Sequence, residues 1–246
     1  MFRIIVAILA MAYLLSSCEV EPSIDLNQNV SFTDIIPDLQ GSDAVLLGTK
    51  NSYYNEYSGE YVRRQYGTAS AVFYSEDNLG DYIDAGKVTV YGLNLKKGSD
   101  FRYSLKPSEN SENGISFQDM ITWSVGGSNS FPQSNDMEST GWPSVGRSLH
   151  AYALEDNNDF TVTMQSMANV DYVDYRMLNE FDEVVAATYY ESNVKTHTFR
   201  GVDLVDLEKG VLQIEVEVGN VITEEINGRT LSFINREIIY SQAIKD

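Results

Sequence analysis

Sulfur and imidazole are scarce in this chain: its 246 residues hold one cysteine, Cys18, and two histidines, His150 and His197. A lone cysteine cannot form an internal disulfide, and a cysteine- or histidine-rich zinc site, which needs several such ligands at short spacing, is not encoded locally. Basic residues are few as well. Seventeen Lys and Arg face 36 Asp and Glu, a formal charge of −19. Nucleic acid is thereby excluded as a partner, because phosphate contacts need clustered cations and Arg63-Arg64 and Lys96-Lys97 are isolated pairs in acidic surroundings. The acidity reads as solubility and repulsion between neighbours.

Reaction motifs are missing too. No His-Glu-x-x-His is present, no Gly-x-Ser-x-Gly elbow accompanies Ser148 and His150, and the segments 41–50 and 80–87 have the wrong glycine spacing for a phosphate loop. The apolar run 4–15 is too short to span a bilayer, which takes about 20 residues. No apolar stretch keeps a helical period over three turns.

What is there begins at the amino end. Arg3, the apolar run 4–15 and the small residues Ser16 and Ser17 are the three parts of a secretory signal. Leu15-Ser16-Ser17-Cys18 resembles the lipobox of bacterial lipoproteins, and with Glu19 and Glu21 behind it the segment is similar to envelope lipoproteins of Bacteroidota. The resemblance implies cleavage before Cys18, a diacylglycerol thioether on its sulfur and an acyl chain on the new amino group. It also implies an outer-membrane location on the cell surface. One acyl chain holds only marginally, whereas several hold stably. Lipidation consumes the thiol, so Cys18 is an attachment point and not a nucleophile or metal ligand.

Beyond Cys18, residues 18–41 are polar, contain Pro22 and Pro37, and read as a tether. Farther on, apolar residues recur with period 2 in short runs rich in Tyr, Val, Ile, Thr and Phe, which predicts an all-β fold with minor helix. The plainest run puts Leu212, Ile214, Val216 and Val218 inward and Gln213, Glu215 and Glu217 outward. Asn227-Gly228 then predicts a tight turn and a long hairpin. Asp203 to Gly210 predicts one capped helical turn.

Strands expected near 159–166, 170–178, 182–190, 195–200, 211–219 and 229–241 resemble an immunoglobulin or fibronectin type III sandwich, though the cysteine pair and buried tryptophan of true immunoglobulin domains are missing. The expected organisation is a signal peptide (1–17), the tether (18–41), an N-terminal β-sandwich domain (42–150) with a long loop at 128–148, and a C-terminal immunoglobulin-like β-sandwich domain (151–246). One extended β unit is the alternative.

No residue is assigned a catalytic role, and no metal or cofactor is implied. Residues 155–159 and 76–81 gather oxygen ligands without calcium-loop spacing, and turn chemistry accounts for both. His197 is expected on the solvent side of a strand, and Trp123 packed within one. Trp142, between Gly141 and Pro143 in the long loop, is the leading ligand-binding candidate, with Tyr53, Tyr54 and Tyr57 behind it. Tyrosine offers an apolar face and a polar tip for sugar rings or protein, although strand tyrosines also pack across one sheet face. The expected role is non-catalytic recognition or scaffolding of a glycan or envelope protein, with membrane contact through the lipid on Cys18. A carboxylate-based glycan hydrolase is the alternative, resting on acid content alone. Cys18→Ala should abolish processing and leave a precursor or soluble protein in detergent partition; unchanged membrane partition of that variant would contradict the anchor.

Overall fold

A computed structural model describes residues 39, 41–57, 60–75, 81–108, 113–146, 152–154, 158–181, 183–204 and 210–245, without the side chains of 54–57, 60–64, 152–153 and 203. Cys18, His150 and most of the two acidic turn segments lie outside the described residues. No described helix is long and apolar enough to cross a membrane.

Strand β1 (Ala44–Tyr57) and strand β2 (Glu60–Phe73) form an antiparallel pair. Short strands follow: β3 (Val88–Val90), β4 (Leu93–Asn94), β5 (Lys96–Lys97), β6 (Tyr103–Leu105), β7 (Ile121–Val125) and β8 (Ser134–Ser139). Next come β9 (Ser144–Gly146), β10 (Tyr152–Leu154), β11 (Phe160–Thr163) and β12 (Ser166–Ala168). The chain closes with β13 (Tyr172–Leu178), β14 (Val184–Tyr190), β15 (Thr196–Phe199), β16 (Gly210–Ile226) and β17 (Arg229–Lys245). The protein is an all-β sandwich, as the alternation predicts.

Its spine is one sheet in the order β14-β13-β16-β17-β1-β2-β6-β5, with β10 also paired to β17. The β16–β17 hairpin turns at Asn227 (φ 53°) and Gly228 (φ 73°), the left-handed pair that an Asn-Gly turn supplies. Both strands run 17 residues, well past the expected ends at 219 and 241. β1 lies parallel to β17, a pairing between distant segments that local periodicity does not reveal.

One face of this sheet carries two apolar cores in succession. Along β17, Leu231 and Phe233 belong to the first, covered by the small sheet β4-β3-β7-β8; Ile239 and Ala243 belong to the second, covered by the ribbons β11-β15 and β12-β9. Between them, residues of the same face are polar. Asn235 accepts from Ser139 Oγ at 3.2 Å and donates to the Thr140 carbonyl at 2.9 Å, and Glu237 accepts from Ser52 Oγ at 2.6 Å. Strand β17 serves both cores and is bonded to β1 from the first half of the chain.

Three local expectations need correction. The loop expected at 128–148 contains β8 and β9; β8 hides its alternation behind a bulge, with Asp136 at φ 49° and the register shifting opposite Trp123 to Val125. Leu39, assigned to the tether, is buried beside Val45, Leu47 and Tyr74. Most of the turn expected from Asp203 to Gly210 lies outside the described residues; just before it, Gly201–Asp203 forms a 3-10 turn whose first amide donates to Asp159 Oδ1 at 2.9 Å. His197 is half-buried against Phe199 (4.4 Å between ring centres) with Nδ1 2.9 Å from the Tyr190 hydroxyl. Burial lowers its pKa from the ordinary value.

Candidate functional site

The opposite face of the large sheet holds a buried charge cluster. Register places Tyr172, Asp174 and Arg176 of β13 beside Gly219, Glu217 and Glu215 of β16, with Arg236 and Tyr240 of β17 and Thr49, Asn51 and Tyr53 of β1 farther along. Alternation puts these side chains on the same side as one another and opposite Val216 and Val218, which are in the second core. Glu215 and Glu217 do point away from that core, as the sequence predicts, yet they do not meet solvent: they are 8% and 1% exposed.

Arg176 lies within this acidic group. Its Nε donates to Asp174 Oδ2 at 2.7 Å, its Nη1 to Glu215 Oε1 at 3.1 Å, and its Nη2 lies 4.0 Å from Glu217 Oε2. Glu217 also accepts from Arg236 Nη1 at 3.0 Å and from the Tyr172 hydroxyl at 2.8 Å. Arg236 Nε donates onward to Thr49 Oγ1 at 2.9 Å. The Tyr172 ring reaches Glu217 because it lies across Gly219, where a Cβ would come within 2.1 Å of a ring carbon. Glycine is required there for space, not for a special φ.

Three carboxylates share two guanidinium groups, so electrostatics leaves one negative charge in excess. Burial pushes the Glu215 carboxyl up to about 7, against the pull of Arg176. Burial also raises Asp174, whose Oδ1 has no hydrogen-bond partner. Glu217 goes the other way: burial raises it, but Arg236 and Arg176 outweigh that, and its pKa is lowered. The excess proton therefore belongs on the Glu215 side of the cluster, which titrates as a coupled group.

The tyrosine candidates continue this face. Tyr53 stacks on Tyr240 at 4.4 Å and 6° between ring planes, and on Tyr66 at 5.8 Å, with its hydroxyl 3.1 Å from that of Tyr66. Tyr240 in turn donates to Asn51 Oδ1 at 3.2 Å. These rings pack on one another across three strands, so Tyr53 is half-buried in a ladder. Tyr54 and Tyr57 are in β1, and their side chains lie outside the described residues.

Trp142 overturns the expectation of an exposed loop aromatic. It is 7% exposed in the first core, its ring 4.8 Å from Phe117 and close to Gly48, with Lys50 Nζ 3.9 Å above the ring. The bare backbone at Gly48 makes the room: a Cβ there would stand 3.3 Å from Trp142 Cη2 and 2.8 Å from Ile121 Cδ1. Trp123 is fully buried in the same core, as expected. The charge cluster is what sequence reasoning missed. Its only sequence trace is Asp174-x-Arg176 and Glu215-x-Glu217, two spaced charged pairs that complement one another once β13 and β16 are known to be neighbours.

No protein-family model matches this chain, and no curated protein is similar to it. Among the solved structures to which the chain is similar are two. One is of fibronectin(III)-like modules of Clostridium thermocellum CbhA, at 12% identity and TM-score 0.23, covering 72% of this chain and 85% of that one. The other is the BSP domain of a biofilm-associated protein, at 13% identity and TM-score 0.21, covering 72% of this chain and 27% of that one. Likeness at these scores carries nothing about the function of this chain.

The cluster makes a prediction about pH. Glu215 has a folded-state pKa of about 7 against an ordinary 4.5, so the fold holds a proton that the unfolded chain releases. That contribution is whole below pH 4.5 and is lost as pH rises through 7. Glu215→Gln, which fixes the neutral form, should match the wild type at pH 5 and exceed it at pH 8.5 by roughly 2–3 kcal/mol in denaturant unfolding. Glu217→Gln should cost about 3–5 kcal/mol at pH 7, because Arg236 is left buried without its counterion. Parallel stability–pH profiles for wild type and Glu215→Gln would contradict the assignment.

Proposed function

We propose that the chain is a lipid-anchored protein of the outer membrane, held through Cys18, that recognises or scaffolds a macromolecular partner without transforming it. The observation that carries this reading is where the charges of the described sheet go. The buried carboxylates Asp174, Glu215 and Glu217 are bonded to guanidinium and hydroxyl groups inside the sheet, an arrangement that fixes strands relative to one another. Of the aromatic candidates for stacking on a sugar, the two whose side chains are described are likewise committed: Trp142 to a core and Tyr53 to a ring ladder. Protein is therefore favoured over glycan as the partner. A rigid sheet that displays edges and loops suits such a role.

One observation speaks for a hydrolase. Glu215 and Glu217 sit two residues apart on one face with pKa values pushed in opposite directions, the pattern of an acid and its companion carboxylate. Their burial weighs against it, since a glycosidase must open both carboxylates to the sugar. Structural ion-pair networks shift pKa values in the same way.

A panel of polysaccharides and isolated envelope proteins, read for binding and for product release together, decides between the two. Saturable binding of a protein without any product is expected. Reducing ends released from any polysaccharide would replace this reading with the hydrolase, and a panel without a binder would overturn recognition.

A further inference from the structure

The two edges of the large sheet are built differently. At one end it closes with β5, a two-residue strand made of Lys96 and Lys97, both exposed. Short, lysine-bearing edges are the usual protection against pairing with another chain. At the other end it closes with β14, whose sequence Val-Val-Ala-Ala-Thr-Tyr-Tyr has no charge and no proline and is rich in strand-forming residues. Among the described residues, strand β14 is paired on one side only, to β13. Its sole irregularity is the register shift opposite Met177 and Leu178, which leaves Ala186 to Tyr190 in regular register.

The second core is also unfinished at this edge. Val185, Ala186 and Tyr190 pack against it while only partly buried, and Phe181 and Val184 beside them are exposed at 71% and 51%. A further strand would continue the hydrogen-bond ladder and lay alternate side chains over these residues. We propose that β14 is a docking edge for an extended peptide segment of a partner protein, one with an uncharged β-branched centre and basic residues at both ends.

Charge selects that occupant. Glu183 and Glu191 flank the strand and are exposed at its two ends, and Glu180 is exposed in the preceding turn. A second copy of this chain paired antiparallel over 184–190 would set Glu183 of one copy opposite Glu191 of the other at both ends, and each copy carries −19. Like charges directly opposite are destabilising in a sheet. Lysine or arginine in the same places would be attracted. Strand addition takes affinity from main-chain bonds and selectivity from the flanks, a known mode of peptide capture. This rests on the reading of the chain as a recognition module and names the partner chemistry at one edge of it.

The test uses the full chain in detergent and the labelled peptide acetyl-Lys-Lys-Val-Thr-Val-Thr-Val-Lys-Lys-amide. Control peptides carry Glu for each Lys, or Pro for the central Val. The lysine peptide should bind, protect amides of residues 186–190 from hydrogen exchange, and lose at least tenfold in affinity with the central proline. The double variant Glu183→Lys/Glu191→Lys, whose changes are at exposed positions, should reverse the preference toward the Glu-flanked peptide by roughly tenfold for two surface ion pairs. Because this is a gain of binding, misfolding cannot imitate it. Equal binding of both peptides, protection elsewhere in the chain, or self-association lost in the double variant would each overturn the proposal. A binder found in the envelope panel that leaves β14 unprotected would overturn this edge while leaving the recognition role standing.

Discussion

Glu217 is the residue on which the long sheet turns. It is almost wholly buried, accepts from Tyr172 and Arg236, and faces Arg176, so β13, β16 and β17 meet in one carboxylate. A buried charge with its partners in place is near neutral for stability, whereas the same charge stripped of a partner costs several kcal/mol. That asymmetry gives the cluster its specificity: a slip of β16 by one residue would carry Glu215 and Glu217 into the second core and turn Val216 and Val218 toward the arginines. Register, which apolar alternation alone sets only by face, is fixed here by charge as well.

Much of the architecture was legible. The alternation at 212–218, the Asn227-Gly228 turn and the strands between 160 and 199 follow from period and turn chemistry that act locally. What escaped is non-local. The parallel β1–β17 pair joins residues far apart in the chain, and the Asp136 bulge broke the alternation of β8 into what reads as loop. Trp142 shows the limit most plainly: its Gly and Pro neighbours look solvent-loving, but the side chain enters a space that Gly48 leaves on another strand. Glu215 and Glu217 show the converse, since pointing away from a core means solvent only where nothing else covers that face.

Polar residues also divide the interior. Asn235, Glu237, Ser52 and Ser139 occupy the positions of the core-bearing face where an apolar stripe would otherwise run without interruption, and their hydrogen bonds to one another satisfy them there. The result is two cores on one set of strands, which explains why composition and periodicity suggest two sandwiches. The sequence signal for a pair of domains and the structural fact of a shared sheet have the same cause. Stability of either core then depends on the hairpin that both use.

The most direct test of that account follows the two cores separately through one denaturant series. Trp123 and Trp142 both lie in the first core, so tryptophan fluorescence reports on it, while the ring signals of His197 in nuclear magnetic resonance report on the second. A sheet shared through β16 and β17 predicts that the two curves coincide in midpoint and slope. Two separated transitions, with one core melting while the other keeps its native signal, would contradict it.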